Sequence, residues 1–388
     1  MTEIYMDHSA TTPMDEEVLE AMLPYFKGEY GNPSGIYAKG RKAKKALEKA
    51  RTQVAALLNA APQEIFFTSG GTEADNLAII SYMLSNVGKG RHLITSAIEH
   101  HAVFDTCQYL SKNGFDLTIL PVNKNGLVEP DALREALRLR PDTALVTIMH
   151  ANNEIGTIQP IKELAAIAHE AEAAFHTDAV QTVGKIPVDV KDLGVDLLSA
   201  SSHKLYGPKG VGCLYIKKGT KISRLLHGGP QEAKIRAGTE NVPGIVGFGK
   251  AAELAQNRMG EIFTHLTRLE KRLREGIRAK IPHTIFTGDP QDRIPGHVSV
   301  CFEFIEGESI LLMLDSYGIM ASSGSACTFG ALEPSHVLIA IGIPPEIAHG
   351  SLRLTLGKDN TEQDIDYVLQ VLPGIVNRLR TMSPLSNY

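Results

Sequence analysis

The chain has 388 residues, of which 43% are hydrophobic and 21% charged, and its formal net charge is -5. This length predicts two domains around separate cores, and the acidic balance argues against a general nucleic-acid binder. No apolar run approaches the ~20 residues that cross a bilayer, and the first residues lack the basic-then-apolar layout of a signal peptide. We therefore expect a cytoplasmic protein without a membrane partner.

From residue 64 to residue 217 the chain alternates short β-type runs with segments of helical periodicity. This alternation is typical of a mainly parallel sheet covered by helices, where ligands bind beyond the carboxyl ends of the strands. The predicted strands are 64–68, 92–95, 117–120, 144–148, 174–177, 197–199 and 213–216.

The pattern changes near residue 260. A charged helix is predicted over 262–279, then a strand over 298–302, a helix near 309–317, a strand over 352–355 and a helix from Glu362. This order predicts a smaller α+β domain. We assign 15–259 to a large domain, and 1–14 with 260–388 to the small one.

Two polar loops after predicted strands suit a phosphorylated pyridine cofactor. Gly71 and Thr72 open a helix, where freed amides and a hydroxyl can hold an anion, although a capped glycine turn explains the same residues. Asp178 is either a helix N-cap or a carboxylate that keeps a pyridine nitrogen protonated. Gln181, three residues later, can donate a hydrogen bond to a phenolic oxygen.

Lys204 lies in a tight polar turn directly after a predicted strand. A lysine whose pKa is lowered by its site can form an imine with an aldehyde. Ser202 and His203 can supply further phosphate contacts, whereas Lys209 better fits an ordinary surface turn.

Two further strand-end loops complete this set. His100 can stack on a pyridine face and act as an acid or base near neutral pH, although a lone histidine is more often structural. The loop 150–156, with Asn153, can hold a ring oxygen or a substrate carboxylate, or can be a plain turn. Together the strand-end motifs indicate a pyridoxal phosphate enzyme with its cofactor on Lys204.

The four cysteines are scattered and have no metal-like spacing. Cys107, Cys213 and Cys301 lie in apolar runs, which predicts burial. Cys327 instead lies among small polar residues in a loop at about 321–334, where Gly324 and Gly330 are candidate hinges.

These motifs make the chain similar to cysteine desulfurases of the NifS/IscS type, in the class V aminotransferase branch of fold-type I pyridoxal phosphate enzymes. The resemblance covers essentially the whole chain and is carried by 68–76, 97–103, 152–156, 176–181, 202–210, 236–243 and 322–334. It implies an α/β fold with a mainly parallel seven-stranded sheet and a smaller α+β domain. It also implies a homodimer with shared active sites.

The resemblance assigns roles to the candidate residues. Lys204 carries the cofactor as a Schiff base, Asp178 pairs with the pyridine nitrogen and His100 stacks on the ring. Gln181 and Asn153 lie near the phenolic oxygen, and Arg353 binds the substrate carboxylate. The phosphate ligands implied are Gly71, Thr72, Ser202, His203 and Thr239, the last from the neighbouring subunit.

The implied reaction converts L-cysteine to L-alanine and leaves a persulfide on Cys327 for an acceptor protein, such as an iron–sulfur scaffold. Whether Cys327 also ligates a cluster shared with that partner stays open. A selenocysteine lyase or another class V aminotransferase is the alternative enzyme. A non-enzymatic sulfur-carrier scaffold is disfavoured because the catalytic groups are retained.

Overall fold

The computed structural model describes residues 3–324 and 334–384. Its strands are β1 (Ile4–Tyr5), β2 (Ile65–Thr68), β3 (His92–Ser96), β4 (Asp116–Leu120), β5 (Thr143–Thr147), β6 (Ala174–Asp178), β7 (Leu197–Ser201), β8 (Gly212–Ile216), β9 (Thr284–Phe286), β10 (His297–Phe302), β11 (Ile319–Met320) and β12 (Ser351–Thr355). Its α-helices are α1 (Glu16–Lys27), α2 (Ala38–Leu57), α3 (Gly71–Ser85), α4 (His101–Lys112), α5 (Pro130–Leu139), α6 (Ile161–Glu170), α7 (Val190–Leu193), α8 (Val242–Lys280), α9 (Gly307–Ser316), α10 (His336–Ala340), α11 (Pro345–Ala348) and α12 (Glu362–Met382).

The large sheet has seven strands in the order β2-β8-β7-β6-β5-β3-β4. The strands from β7 through β4 run parallel, and β8 runs antiparallel to both β2 and β7. Strands β3, β5, β6 and β7 are buried along their whole length, as expected where helices cover both faces. The predicted α/β class and all seven predicted strands are therefore confirmed.

The second body of structure is a three-stranded antiparallel sheet in the order β12-β10-β9, with a separate parallel pair of β1 and β11. Helices α9 and α12 and the C-terminal half of α8 pack on these strands around a core that includes Leu269, Val300 and Leu354. Because β1 pairs with β11, the first residues belong to this part of the molecule.

Helix α8 joins the two parts. The helix predicted over 262–279 in fact begins at Val242 and runs for 39 residues. Its first half packs into the core of the large sheet through Phe248 and Ala252, and its second half contributes Leu269 and Leu273 to the small core. The predicted boundary at 259/260 therefore falls inside one continuous helix.

Loops at the carboxyl ends of β3, β5, β6 and β7 converge on one edge of the large sheet, next to the first turns of α3 and α4. Across the ranges that the structure describes, no helix is both long enough and apolar enough to span a membrane.

Candidate active site

A cavity of about 900 Å³ lies at this edge of the large sheet, where β12 and residues 321–323 approach it. It brings together most of the residues that the sequence predicted for the site. Those on its wall are Gly71, Thr72, His100, Asn153, Asp178, Gln181, His203, Lys204 and Arg353.

Lys204 ends a short 3-10 turn that directly follows β7. Its Nζ donates hydrogen bonds to the backbone oxygen of Ser9 at 2.5 Å and of Ala10 at 2.8 Å. The amine is therefore held at the cavity wall by carbonyl groups of the N-terminal segment.

Asp178 is the last residue of β6 and is 6% exposed. Its Oδ1 accepts a hydrogen bond from the Val180 amide at 2.9 Å. Burial raises the pKa of Asp178, and positive charge on His100 and Lys204 acts in the opposite direction. A cation in the cavity would therefore stabilise the ionised carboxylate.

His100 caps the N-terminus of α4, and its Nδ1 accepts a hydrogen bond from the Ala102 amide at 3.1 Å. Burial is the main cause that lowers its pKa. A neutral imidazole that accepts at Nδ1 carries its proton on Nε2. The neutral His100 ring therefore has one N–H group, at Nε2, that can donate a hydrogen bond.

An anion cradle forms where α3 begins. The N-cap residue Gly70 makes no side-chain capping bond, so the first amides of α3 are available to a ligand. A Cβ on Gly71 would lie 2.7 Å from Val180 Cγ2, so the backbone approaches the cavity as only glycine allows. His203 borders the same cavity and has its pKa lowered to about 4, mainly by burial.

The serine that borders the cavity is Ser201 rather than the predicted Ser202. Ser202 is fully buried, and its Oγ has no hydrogen-bond partner among the residues that the structure describes. Its hydroxyl instead packs against Gly207, where an added Cβ would lie 2.0 Å from Ser202 Oγ. Of the two serines, Ser201 is therefore the one that a ligand in the cavity could reach.

Arg353 projects from the middle of β12 with a side chain that is 5% exposed. Its Nη1 donates to the Asn153 backbone oxygen at 3.0 Å, and its Nη2 donates to Asp7 Oδ1 at 2.9 Å. Within the described ranges, Nε is buried without a hydrogen-bond partner. The guanidinium therefore keeps donors for a carboxylate ligand.

Of the predicted site residues that the structure describes, Ser202 and Thr239 do not border this cavity. Thr239 is exposed on the surface of this chain and does not border the cavity. Cys327 lies outside the described residues. Cys107, Cys213 and Cys301 are fully buried, as the sequence predicted. The described ranges hold no cluster of three or more His, Cys, Asp or Glu side chains suited to a metal ion.

The structure adds residues that the sequence did not single out. Asp7, Ser9 and Ala10 border the cavity, although nothing in their local sequence links them to strand ends 170 or more residues away. Asp75 also borders it, one helical turn after Gly71, and its pKa is raised well above the usual value by burial and by Asp178. The helical spacing from Gly71 was the one signal that pointed to Asp75.

Comparison with known proteins agrees with this geometry. The profile of the family described as Aminotransferase class-V matches residues 4–368. Cysteine desulfurase IscS of Methanosarcina thermophila is 58% identical over 99% of this chain and 94% of its own length. Cysteine desulfurase IscS of Dictyoglomus turgidum is 53% identical over 98% of this chain and 96% of its own length.

Solved structures show the same relationship. A structure described as a NifS-like protein superposes with a TM-score of 0.92 at 40% identity, covering 97% of this chain and all of its own. A structure described as SspA in complex with cysteine has a TM-score of 0.80 at 37% identity, covering 93% of this chain and all of its own. The chain belongs to the class-V aminotransferase family.

Proposed function

We propose that this protein is a pyridoxal phosphate-dependent cysteine desulfurase. It takes sulfur from L-cysteine, releases L-alanine and keeps the sulfur as a persulfide on Cys327. The observation that carries the proposal is a lysine amine, Lys204, in one cavity with a strand-end carboxylate, Asp178, and a carboxylate-binding guanidinium, Arg353. The full-length relatives that bear this name support it.

The residues present fit pyridoxal phosphate. The start of α3 with Gly71, Thr72, Ser201 and His203 offers amide, hydroxyl and imidazole donors for the phosphate. Burial raises the pKa of Asp178, and a protonated pyridine nitrogen beside it would stabilise the ionised carboxylate. When bound, pyridoxal phosphate supplies an electron sink for the bond-breaking steps at the substrate's α and β carbons.

The chain's own groups then bind substrate and move protons. The remaining Arg353 donors fit the carboxylate of L-cysteine, because a guanidinium can pair with both oxygens. Lys204 Nζ, once free, is the base for the Cα proton, and the carbonyls of Ser9 and Ala10 hold the amine when it is charged. His100 Nε2–H is the donor that can pass a proton to or from the substrate.

Sulfur transfer ends on the thiol of Cys327. Its sulfur forms a bond with the substrate sulfur, the Cβ–S bond breaks, and the carbon takes a proton. One thiol and one L-cysteine give one persulfide and one L-alanine, so no outside oxidant or reductant is needed. The persulfide is then delivered to an acceptor protein, with an iron–sulfur scaffold as the favoured class.

A homodimer is part of this proposal. Thr239 is exposed and follows, five residues later, a stretch of positive φ values at residues 232–234. From that position it can complete the phosphate site of a second copy. Light scattering should report twice the mass of one chain, and a monomer with full activity would contradict the shared site. A cytoplasmic location stays a prediction.

The test uses purified protein, L-cysteine and a thiol reductant, with alanine and sulfide as the measured products. Lys204→Ala should lose the yellow cofactor band that borohydride traps, whereas the exposed Lys209→Ala should keep it. A Lys204→Ala protein that still formed a trappable imine would refute the assignment of Lys204.

The sulfur acceptor position has its own pair of variants. Cys327→Ala should keep the band and release no sulfide, while Cys107→Ala, which alters a buried thiol elsewhere, should stay active. Normal release of alanine and sulfide by Cys327→Ala would instead refute the assignment of Cys327 as the sulfur acceptor. The ratio of turnover with cysteine and with selenocysteine separates a desulfurase from a selenocysteine lyase.

A further inference from the structure

A second lysine lies behind the wall of the cavity. Gln181 borders the active-site cavity, whereas Lys185 borders a separate small cavity of about 30 Å³, next to His8 and His297. The Lys185 Nζ donates a hydrogen bond to Gln181 Oε1 at 3.0 Å. Lys185 therefore contacts the site through Gln181 and does not border the active-site cavity itself.

This hydrogen bond fixes which way the Gln181 amide faces. The Ser9 carbonyl can only accept and the charged form of Lys185 can only donate, so the amide nitrogen faces Ser9 and the amide oxygen faces Lys185. The amide nitrogen donates to the Ser9 backbone oxygen at 2.9 Å, which uses one of its two hydrogens. The second hydrogen is left for a ligand in the cavity that Gln181 borders.

Lys185 is the partner of Gln181 that does not have to move. The Ser9 oxygen also accepts the hydrogen bond from Lys204, and Lys204 must leave that oxygen to react. The hydrogen bonds of the Ser9 oxygen therefore change during turnover, whereas the hydrogen bond from Lys185 to Gln181 involves no reacting group.

A positive charge on Lys185 is energetically unfavourable at this buried position. Its pKa is lowered to about 7, first by burial and then by the cations Lys204 and Arg353. The charge on Lys185 also helps to lower the pKa of three imidazoles, those of His8, His203 and His297. In the part of the chain that the structure describes, no carboxylate pairs with Lys185. Such a buried cation destabilises a fold, so its benefit must lie elsewhere.

We propose that Lys185 is a positioning residue that holds Gln181 with an amide N–H towards the cavity, where it donates to the phenolic oxygen of the cofactor. This inference rests on the proposed function, because it assumes pyridoxal phosphate in the cavity. Lys185 is not a catalytic residue, since it acts only through Gln181.

The experiment is a spectrophotometric pH titration of the yellow cofactor band in the purified holoenzyme. Without the N–H donor of Gln181, more negative charge stays on the phenolic oxygen of the deprotonated chromophore. The pH at the midpoint of the band's titration should therefore rise. We expect Lys185→Met and Gln181→Ala each to raise it by about one pH unit, the effect of losing one hydrogen bond to a charged group. Lys191→Met, an exposed control, should leave the midpoint unchanged.

The double variant Lys185→Met/Gln181→Ala decides whether the two residues act as one unit. Its midpoint should match that of Gln181→Ala alone, because coupled residues are not additive. Lys185→Leu is titrated in parallel, so the result does not depend on how one variant folds. The thermal midpoint of both Lys185 variants should equal or exceed that of the wild type. If Lys185 had a purely structural role, its replacement would lower the thermal midpoint.

An unchanged midpoint in the Lys185 variants, or a double variant whose shift is the sum of the single shifts, would overturn the inference. A wild-type protein without any yellow band would instead overturn the proposed function. The two failures are therefore distinguishable.

Discussion

Arg353 offers the sharpest test of how the site recognises its substrate. The guanidinium is nearly buried and already donates to Asp7 and to the Asn153 backbone, which fixes its plane. Each terminal nitrogen carries a second hydrogen that these two bonds do not use, and Nε has no hydrogen-bond partner among the described residues. Arg353→Lys keeps the charge but removes the planar pair of donors.

The expected magnitude follows from the bonds that are lost. One hydrogen bond to a charged group is worth about 1.5–3 kcal/mol, so Arg353→Lys should lower kcat/KM for L-cysteine by about 10- to 150-fold. The loss should appear mainly in KM, because the carboxylate does not change during the reaction and is bound equally in ground and transition states.

The assay is alanine formation over a range of L-cysteine concentrations. Arg140→Lys is the matched control, since Arg140 pairs with Asp116 and Asp142 at the opposite edge of the sheet, where β4 and β5 begin. The control should keep the wild-type KM. A normal KM in Arg353→Lys, or a fall in kcat alone, would refute the role of Arg353 in binding the substrate carboxylate.

Two further predictions concern buried carboxyl groups. Asp178→Asn should keep the trappable cofactor but lower kcat by about 10²- to 10³-fold, as expected when a preorganised electrostatic partner is lost; a normal kcat would contradict the pairing with the ring nitrogen. Burial raises the pKa of Glu99 from 4.5 to about 8, so its contribution to stability is full below pH 4.5 and is lost as the pH rises through 8. Glu99→Gln should therefore flatten the fall of the thermal midpoint between these pH values, by at most about 1.4 kcal/mol per pH unit in unfolding free energy. Thermal melts of both proteins across that range test this, and identical pH profiles would show that Glu99 is not the group responsible.

The large sheet could be predicted because its strands are short apolar runs bounded by polar loops. Burial on both faces makes such runs stand out, and the strand ends then carry the site residues Asp178, Lys204 and His100. The sequence therefore predicted both the large sheet and the edge of that sheet at which the cavity lies.

The start of α8 could not be predicted in the same way. Residues 244–249 are rich in glycine, which has low helix propensity and indicates a loop. In the structure the glycines allow close helix packing, since a Cβ on Gly249 would lie 2.5 Å from Ala50 Cα and one on Gly247 would lie 2.5 Å from Met22 Sδ. Tertiary packing here overrides the local preference.

The parts of the site that the sequence missed share one cause. Asp7 and Ser9 reach the cavity through contacts between segments far apart in the chain, and no local pattern records such contacts. Ser202 was predicted in place of Ser201 because the residue type is the same. Ser201 ends β7 and borders the cavity, whereas Ser202 begins the following turn and is buried.

The pairing of the N-terminal segment with the C-terminal part of the chain has a consequence for synthesis. The Met6 backbone oxygen accepts a hydrogen bond from Thr355, 349 residues later, and Ser9, three residues after Met6, holds Lys204. The ribosome makes Met6 and Ser9 long before Thr355, which hydrogen-bonds to both of them. The large sheet can fold as the chain grows, whereas the segment that holds Lys204 is fixed only after Thr355 has been made. A nascent chain would thus lack both this support of Lys204 and the Arg353 side chain of the cavity until synthesis has passed residue 355.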